Sequence, residues 1–340
     1  MHPYPLLFEP ILKEKVWGGH RLEALGKRAQ EDPETISIER PRIGESWELA
    51  DLDATSADGG GGGAARSMIA NGPMRGLSIR DAITAMGSNL MGQAKVTQTG
   101  GFPLLAKFLD ADENLSVQVH PSEAYAKAHP DAHLKTESWY IVHAEPGAMI
   151  YKGLRSGVSR QDLEAHIRAG TVAQAMQEVP VQSGDFHHLP SGMVHALGAG
   201  VVVAEVQTPS DTTFRLYDWG RTGRAMHIEQ ALACIAFGQT TDSEPVRGDG
   251  SARRLLHDAG HFLVKELRGQ GGEVREHDTS CDLPVVVICI EGEGQIEATD
   301  DGFAPVRFKA GTTLVSPARL DAVRMVLDRD STLLEVLVRG

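Results

Sequence analysis

The sequence predicts a mainly β protein made of two successive β-modules of sandwich or barrel type, with a small helical insert in the first. Three observations predict it. Short apolar runs broken by Gly, Pro and Asp recur along the chain, as in "GGFPLLAKFLD", "NLSVQVHP" and "PVVVICIEGEGQIEAT". Helix signals are few and short. The spacing Gly184-x5-Pro190 returns as Gly311-x5-Pro317, so the second half reads as another copy of one module.

Taken in order, the stretch "SADGGGGGAA" around Gly59–Gly63 reads as a flexible surface loop. "LSIRDAITAMGSNLMG" reads as one amphipathic helix, with Ser78 available as its N-cap. The insert, about residues 156–180, opens with Ser159 three residues before Asp162. Its apolar stripe of Leu163, Ile167, Val172 and Met176 predicts a helix throughout. Strand signals resume after Pro180, with one more helix in "MHIEQALACIAF". The polar, Gly-containing run at 239–254 reads as a linker between residues 1–238 and a β-rich 255–340.

Composition narrows the class. The net charge of −13 on 340 residues argues against a nucleic-acid partner. No apolar run approaches the ~18–20 residues of a membrane span, and "MHPYPLLFEPILKEK" has no basic start or small-residue cleavage site, so neither a membrane partner nor a leader is expected. Cys234, Cys281 and Cys289 are odd in number and form no CxxC pair, which suits a reducing cytoplasm. The oligomeric state is left open.

The chemistry concentrates around "GDFHHLPSGMVHALG". Gly184, Pro190 and Gly192 are turn formers, and the strand that follows carries His195 inward. This Gly-x5-Pro-x-Gly-x2-His pattern resembles the second motif of the cupin superfamily, small jelly-roll barrels that bind a metal inside. A lone histidine beside a hairpin would be unremarkable, but it has partners. Gln118 and His120 are two apart and share a strand face, and Glu137 opens the apolar strand in "TESWYIVHA". One amide oxygen, two imidazoles and one carboxylate make a mixed N/O set suited to Zn²⁺ or a similar divalent ion, with room left for water or substrate oxygens. The second module has Arg319 and Ala322 where the first has Gly192 and His195, so it is expected to be metal-free.

The motifs "FEPILKEKVWGG", "GESWELAD", "FPLLAKFLDADENLSVQVHP", "LKTESWYIV" and "QTPSDTTFRLYDWGR" are, in that order, similar to those of the type I mannose-6-phosphate isomerase family, closest to its short bacterial form. The resemblance covers about residues 5–230 and implies two cupin-type jelly-roll barrels with a small helical insert. It implies Gln118, His120, Glu137 and His195 as ligands of one zinc ion. It places Arg215 and Lys135 as catalytic candidates, and Ser116, Lys107, Trp17, Glu48 and Asp211 as candidates for substrate contact. A bland reading of Arg215 is a surface residue paired with Asp211 or Asp218. The family reading is a permanent cation that stabilises enediolate charge. The implied reaction interconverts mannose 6-phosphate and fructose 6-phosphate through a cis-enediol, so the partner is a small sugar phosphate. Lys135, Glu48 and a metal-bound water all remain open as the base. Where longer members read His-Lys-Pro-Glu, this chain has Leu134-Lys135-Thr136-Glu137, with His133 displaced by one residue. An isomerase for another aldose or an unphosphorylated sugar, and a non-catalytic sugar-binding cupin, are the competing readings.

Overall fold

The computed structural model describes residues 2–28, 40–56, 60–129, 131–238, 244–247, 250–276, 281–300, 302–320 and 323–340. Its order follows from strands with two buried faces. In Leu105–Ala111, Lys107 and Leu109 face the interior of the first module, while Ala106 and Phe108 face the second. In Glu137–Ala144, Trp139 and Ile141 point inward and Tyr140 outward; in Val201–Gln207, Val203 points inward and Val202, Ala204 and Val206 outward. Side chains alternate across a strand, so such strands read as nearly continuous apolar runs, as these do.

The first module pairs two antiparallel sheets. One runs in the order Phe186–Leu189, Glu137–Ala144, Val201–Gln207, Leu105–Ala111, Ile43–Leu49, Ile11–Gly19. The other runs Met176–Pro180, Met149–Leu154, His195–Leu197, Val117–Val119, Phe214–Tyr217. Between them lies a core of Trp17, Leu109, Trp139, Ile150 and Leu197. The second module repeats the plan with a six-stranded and a four-stranded sheet. Its interior is filled by Leu267, Val287, Ile296, Phe308, Leu314, Met325 and Leu333. The two modules meet back to back through the largest core, where Phe108, Tyr140 and Ala204 pack with Phe262, Val286 and Val336.

The repeat seen in sequence has a structural counterpart. Gly184 and Pro190 bracket the strand Phe186–Leu189 as Gly311 and Pro317 bracket Thr313–Ser316. Both glycines have positive φ, 91° and 86°. Arg319 donates to Asp282 and Ser88, outside the interior core of its module; Ala322 lies outside the described residues.

Several local expectations need correction. The helix over 77–92 is two, Ile79–Met86 and Ser88–Met91, because Gly87 at φ 52° breaks the register; Ser78 does cap the first, in a reciprocal capping box with Asp81. The insert is helical only over Arg160–Ala169, capped by Ser159 and Asp162 and stopped by left-handed Gly170. Val172 and Met176 stay buried in the same cluster, but from a 3-10 turn and from the strand Met176–Pro180. These segments and the helix Ile228–Cys234 cover the outer face of the second sheet. The stretch read as a linker is tied down: Val246 bridges to Phe186 and Arg247 pairs with Asp185 at 2.7 Å, while 239–243 and 248–249 lie outside the described residues. Leu6–Leu7 crosses over to pair with Val315 and Leu314 in the second module. In the glycine loop, Gly61, Gly62, Gly63 and Ala64 are exposed as expected and Gly60 alone of its described glycines is buried; residues 57–59 lie outside the described residues.

Candidate active site

The turn at Pro190–Gly192 explains how His195 is aimed. Gly192 has φ 82°, and a Cβ there would come within 2.9 Å of the Cys234 carbonyl, so only glycine fits. Its N–H donates to the His120 carbonyl at 3.2 Å, which ties this turn to the other histidine. His195 then opens its strand in register with Gln118 on one side and Lys152 on the other. Val117 and Val119 pack outward under the helices, so Gln118 points inward, toward His195. Glu137 opens the facing strand, opposite Leu189 and Gln207.

The three residues converge. His120 Nε2 lies 3.2 Å from Glu137 Oε2, and His195 Nε2 lies 3.2 Å from Glu137 Oε1. All three are buried, with potential ligand atoms within 4.8 Å of one another. His120 Nδ1 donates to the Thr212 carbonyl at 3.1 Å and His195 Nδ1 to the Met193 carbonyl at 2.9 Å. A carbonyl only accepts, so each ring keeps its proton on Nδ1 and turns an Nε2 lone pair toward the carboxylate. Burial, with Lys135 nearby, pushes the His120 pKa down to about 3, so the ring is neutral. Burial opposes ionisation of Glu137, but the Lys135 ammonium outweighs it and holds the carboxyl well below its usual range. His120 Nε2 and Glu137 Oε1 make no hydrogen bond, while Glu137 Oε2 is paired with the Lys135 ammonium at 2.8 Å. Lone pairs facing an ionised carboxylate repel, and each orphaned buried group costs roughly 1–3 kcal/mol. A divalent cation with N and O ligands removes that conflict, so the residues fit a metal. Gln118 lies beside the set, its Nε2 3.4 Å from His195 Nε2 and its Oε1 accepting from Ser116 Oγ at 3.5 Å, so turning the amide over presents the oxygen to the cluster.

Beside the cluster opens a cavity of about 480 Å³, within the usual range for small-molecule sites. Arg215, Lys135, Lys107, Ser116, Trp17 and Asp211 all line it, together with Gln118. Arg215 is 5% exposed and donates from Nη1 to the Ala225 carbonyl at 2.6 Å, so it is no surface arginine, and Asp218 is bound by Arg221 and Arg224 instead. Lys135 Nζ sits 2.8 Å from Glu137 Oε2. Burial alone would lower the Lys135 pKa, but Glu137 and Glu205 raise it, so it is an ammonium. Asp211 Oδ2 accepts from Ser56 N, Ser56 Oγ and Gly60 N at 2.7, 3.0 and 3.1 Å, drawing the glycine loop against the cavity.

Glu48 is not in the cavity. Glu45 and Trp47 occupy the inward face of their strand, so Glu48 falls on the other face, where it accepts from Lys27 at 2.6 Å and Ser46 at 2.5 Å. Glu48 is withdrawn both as a substrate contact and as the base.

Two carboxylates escaped the sequence reading. Glu45 and Glu205 line the cavity, each accepting from a tryptophan indole: Trp47 Nε1 at 2.6 Å and Trp139 Nε1 at 2.9 Å. Lys15 lies 3.2 Å from Glu45, and Lys107 lies 3.9 Å from Glu45 and 3.5 Å from Glu205, giving a row of alternating charges. Burial raises the Glu45 pKa, yet Lys15 and Lys107 prevail and bring it to about 2. For Glu205, burial and the Glu137 charge win, and its pKa is raised. Its Oε1 makes no hydrogen bond. The available signal was a lone glutamate inside the apolar run "VVVAEVQ".

Paired antiparallel sheets around a buried histidine–carboxylate cluster, followed by a second module of the same plan, define a cupin-type protein with a His/Glu/His cluster that fits a metal ion. The phosphomannose isomerase type I catalytic domain matches residues 6–152. Mannose-6-phosphate isomerase of Streptococcus mutans is 34% identical over 92% of both chains, and ManA of Bacillus subtilis is 31% identical over 94% of this chain and 95% of its own. The solved mannose 6-phosphate isomerase from Bacillus subtilis superposes with a TM-score of 0.79 at 26% identity, over 98% of this chain and 99% of that one. A mannose 6-phosphate isomerase solved with zinc and yttrium bound shares the fold, with a TM-score of 0.69 at 15% identity over 99% of this chain and 100% of that one. The chain belongs to the type I phosphomannose isomerase family, a family of aldose–ketose isomerases.

Proposed function

We propose that this enzyme interconverts mannose 6-phosphate and fructose 6-phosphate through a cis-enediol, with one zinc ion held by Gln118, His120, Glu137 and His195. The observation that carries the reading is the convergence of two imidazole lone pairs and an ionised carboxylate beside a cation-lined cavity. Gln118 joins as a ligand through its amide oxygen. When bound, the ion supplies Lewis-acid polarisation of the substrate oxygens. Arg215, buried and anchored at Ala225, is a preorganised cation for the enediolate charge, which needs no reorganisation as it forms. Lys135, held as an ammonium, donates to a substrate oxygen and does not serve as the resting base. Glu205 takes that part: its raised pKa and free Oε1 suit a carboxylate that removes the C2 proton of the open-chain aldose and returns it at C1. Lys107, Ser116 and Trp17 contact the sugar phosphate, and Asp211 acts through the loop it binds. The second module, with its packed interior, serves as support for the first.

We further place the protein in the cytoplasm, in keeping with three widely placed cysteines that form no CxxC pair. A coupled assay with mannose 6-phosphate, run with and without chelator, tests the function. Isomerisation abolished by chelator and restored by zinc is the expected result. Equal turnover of unphosphorylated mannose would favour the broader aldose reading, and binding without turnover the sugar-binding one.

A further inference from the structure

A second cavity, of about 780 Å³, opens on another side of the first module, and its lining shares no residue with the active-site cavity. Its walls include the turn before His195, the segment from Lys152 to the start of the insert helix, residues 235–238, and His257 from the second module. Among the described residues, Lys152, Arg155 and Arg160 line it together with Glu244, in a chain of net charge −13. Lys152 is 4% exposed, so its ammonium is built into the wall. Arg155 donates from Nε to the Met176 carbonyl at 2.8 Å, a neutral partner that fixes the side chain without offsetting its charge. Arg160 is shared, donating to Glu164 at 2.9 Å. Met193, Phe237 and the stacked rings of His188 and His257, 3.9 Å between centroids, supply an apolar and aromatic part of the wall beside the polar Ser156, Ser159 and Gln177.

We propose that this cavity is a second binding site, for an organic monophosphate whose phosphate meets Lys152 and Arg155 and whose body lies against Met193 and Phe237. Several cations converging on one place suit a dianion, and an anchored guanidinium can bind two of its oxygens at once. A volume of this size admits a molecule well beyond inorganic phosphate. The site backs directly on the metal cluster. Lys152 is the register partner of His195, and His188 Nδ1 shares a hydrogen bond of 3.0 Å with Ser138, the residue after Glu137. An occupant therefore contacts strands that pair with those of His195 and Glu137, and any coupling between the two sites is reciprocal.

The test is calorimetric titration of phenyl phosphate into the full-length Arg215→Ala protein, in which the active-site cavity has lost its anchored cation. Binding is expected to persist there. Adding Arg155→Glu, an exposed position where the fold tolerates change, is expected to weaken it at least tenfold. Inorganic phosphate is expected to bind at least tenfold more weakly than phenyl phosphate. No binding to Arg215→Ala, or equal binding with and without Arg155→Glu, overturns the site. Equal affinity for the two probes overturns its assignment to an organic phosphate.

Discussion

His195 Nε2 and Glu137 Oε1 lie 3.2 Å apart, and the hydrogen bond from His195 Nδ1 to Met193 puts the proton of the neutral ring on the side away from the carboxylate. His120 repeats the arrangement through Thr212. These contacts hold both rings in the ligating tautomer before any ion arrives.

The first prediction concerns that cluster. Purified protein is expected to carry about one zinc per chain by elemental analysis, and the His120→Ala, His195→Ala double variant close to none. Because the ion binds the folded cluster and not the unfolded chain, chelation should also lower Tm. At a hundredfold excess over Kd the bound ion contributes about 2.7 kcal/mol. Full metal content in the double variant would exclude these ligands.

A second prediction separates Glu205 from Glu48, two buried glutamates on opposite sides of the same sheet. Glu205→Gln removes the group assigned to proton transfer and should lower kcat by roughly a hundredfold or more, in the range general-base loss produces. Glu48→Gln leaves the Lys27 ammonium buried without its carboxylate, and should cost about 3–5 kcal/mol in urea unfolding. Its kcat should stay within a few-fold of the parent. Matching kinetic losses in the two variants would contradict the division of roles.

That contrast shows where the sequence stopped being legible. The convergence of His120 and His195 was readable because its causes are local: turn formers at Gly184, Pro190 and Gly192 aim His195, and a spacing of two puts Gln118 and His120 on one side. Glu48 was misplaced because choosing between the faces of Ile43–Leu49 requires knowing that Glu45 meets Lys15 and Lys107, residues 30 and 62 positions away. Glu205 was hidden because a strand buried on both sides has no polar face to mark it. The pairing of Leu6–Leu7 with 314–315 is likewise non-local, and no short window contains it. At Gly170 the apolar stripe continued through a change of structure, so periodicity overran a stop that the glycine had signalled.

The third prediction is acid sensitivity. Glu45 titrates at about 2 in the folded protein against 4.5 for the ordinary side chain. A depressed carboxyl contributes stability that is fully present above about pH 4.5 and is lost as pH falls toward 2. The contribution is on the order of 3 kcal/mol. His187 adds to the same slope: burial and Lys152 bring it to about 4, so between pH 6.5 and 4 the unfolded chain binds the extra proton and stability falls on acidification. Urea midpoints at pH 5 and pH 3 should differ less in Glu45→Gln than in the parent. An unchanged difference would remove Glu45 from the account.

Fourth, the modules should unfold together. Phe262 of the second module is fully buried in the core shared with Phe108 and Tyr140 of the first. Phe262→Ala should cost about 3–5 kcal/mol. Calorimetry should show one transition moving as a whole. Two transitions, with only one of them shifted, would mean that the shared core does not couple the modules.

The last prediction tests what Arg215 does. Its guanidinium is buried, lines the cavity and is fixed by the Ala225 carbonyl, so it occupies one position before and during the reaction. If it stabilises charge that develops only in the enediolate, Arg215→Ala should lower kcat roughly a hundredfold or more with a small change in KM, as loss of one oxyanion donor does. If it merely grips the phosphate, KM should rise with kcat nearly unchanged, because contact energy is then lost equally from substrate and transition state. Arg215→Lys should recover little, since an ammonium cannot bind Ala225 and a substrate oxygen with the same planar fork. The structure adds a control that kinetics alone would lack. Arg215 also holds the segment around Ala225, so zinc content and Tm must be measured in both variants to separate lost chemistry from a displaced loop. An Arg215→Ala enzyme with zinc and Tm retained and kcat within two- to threefold of the parent would rule out the catalytic role.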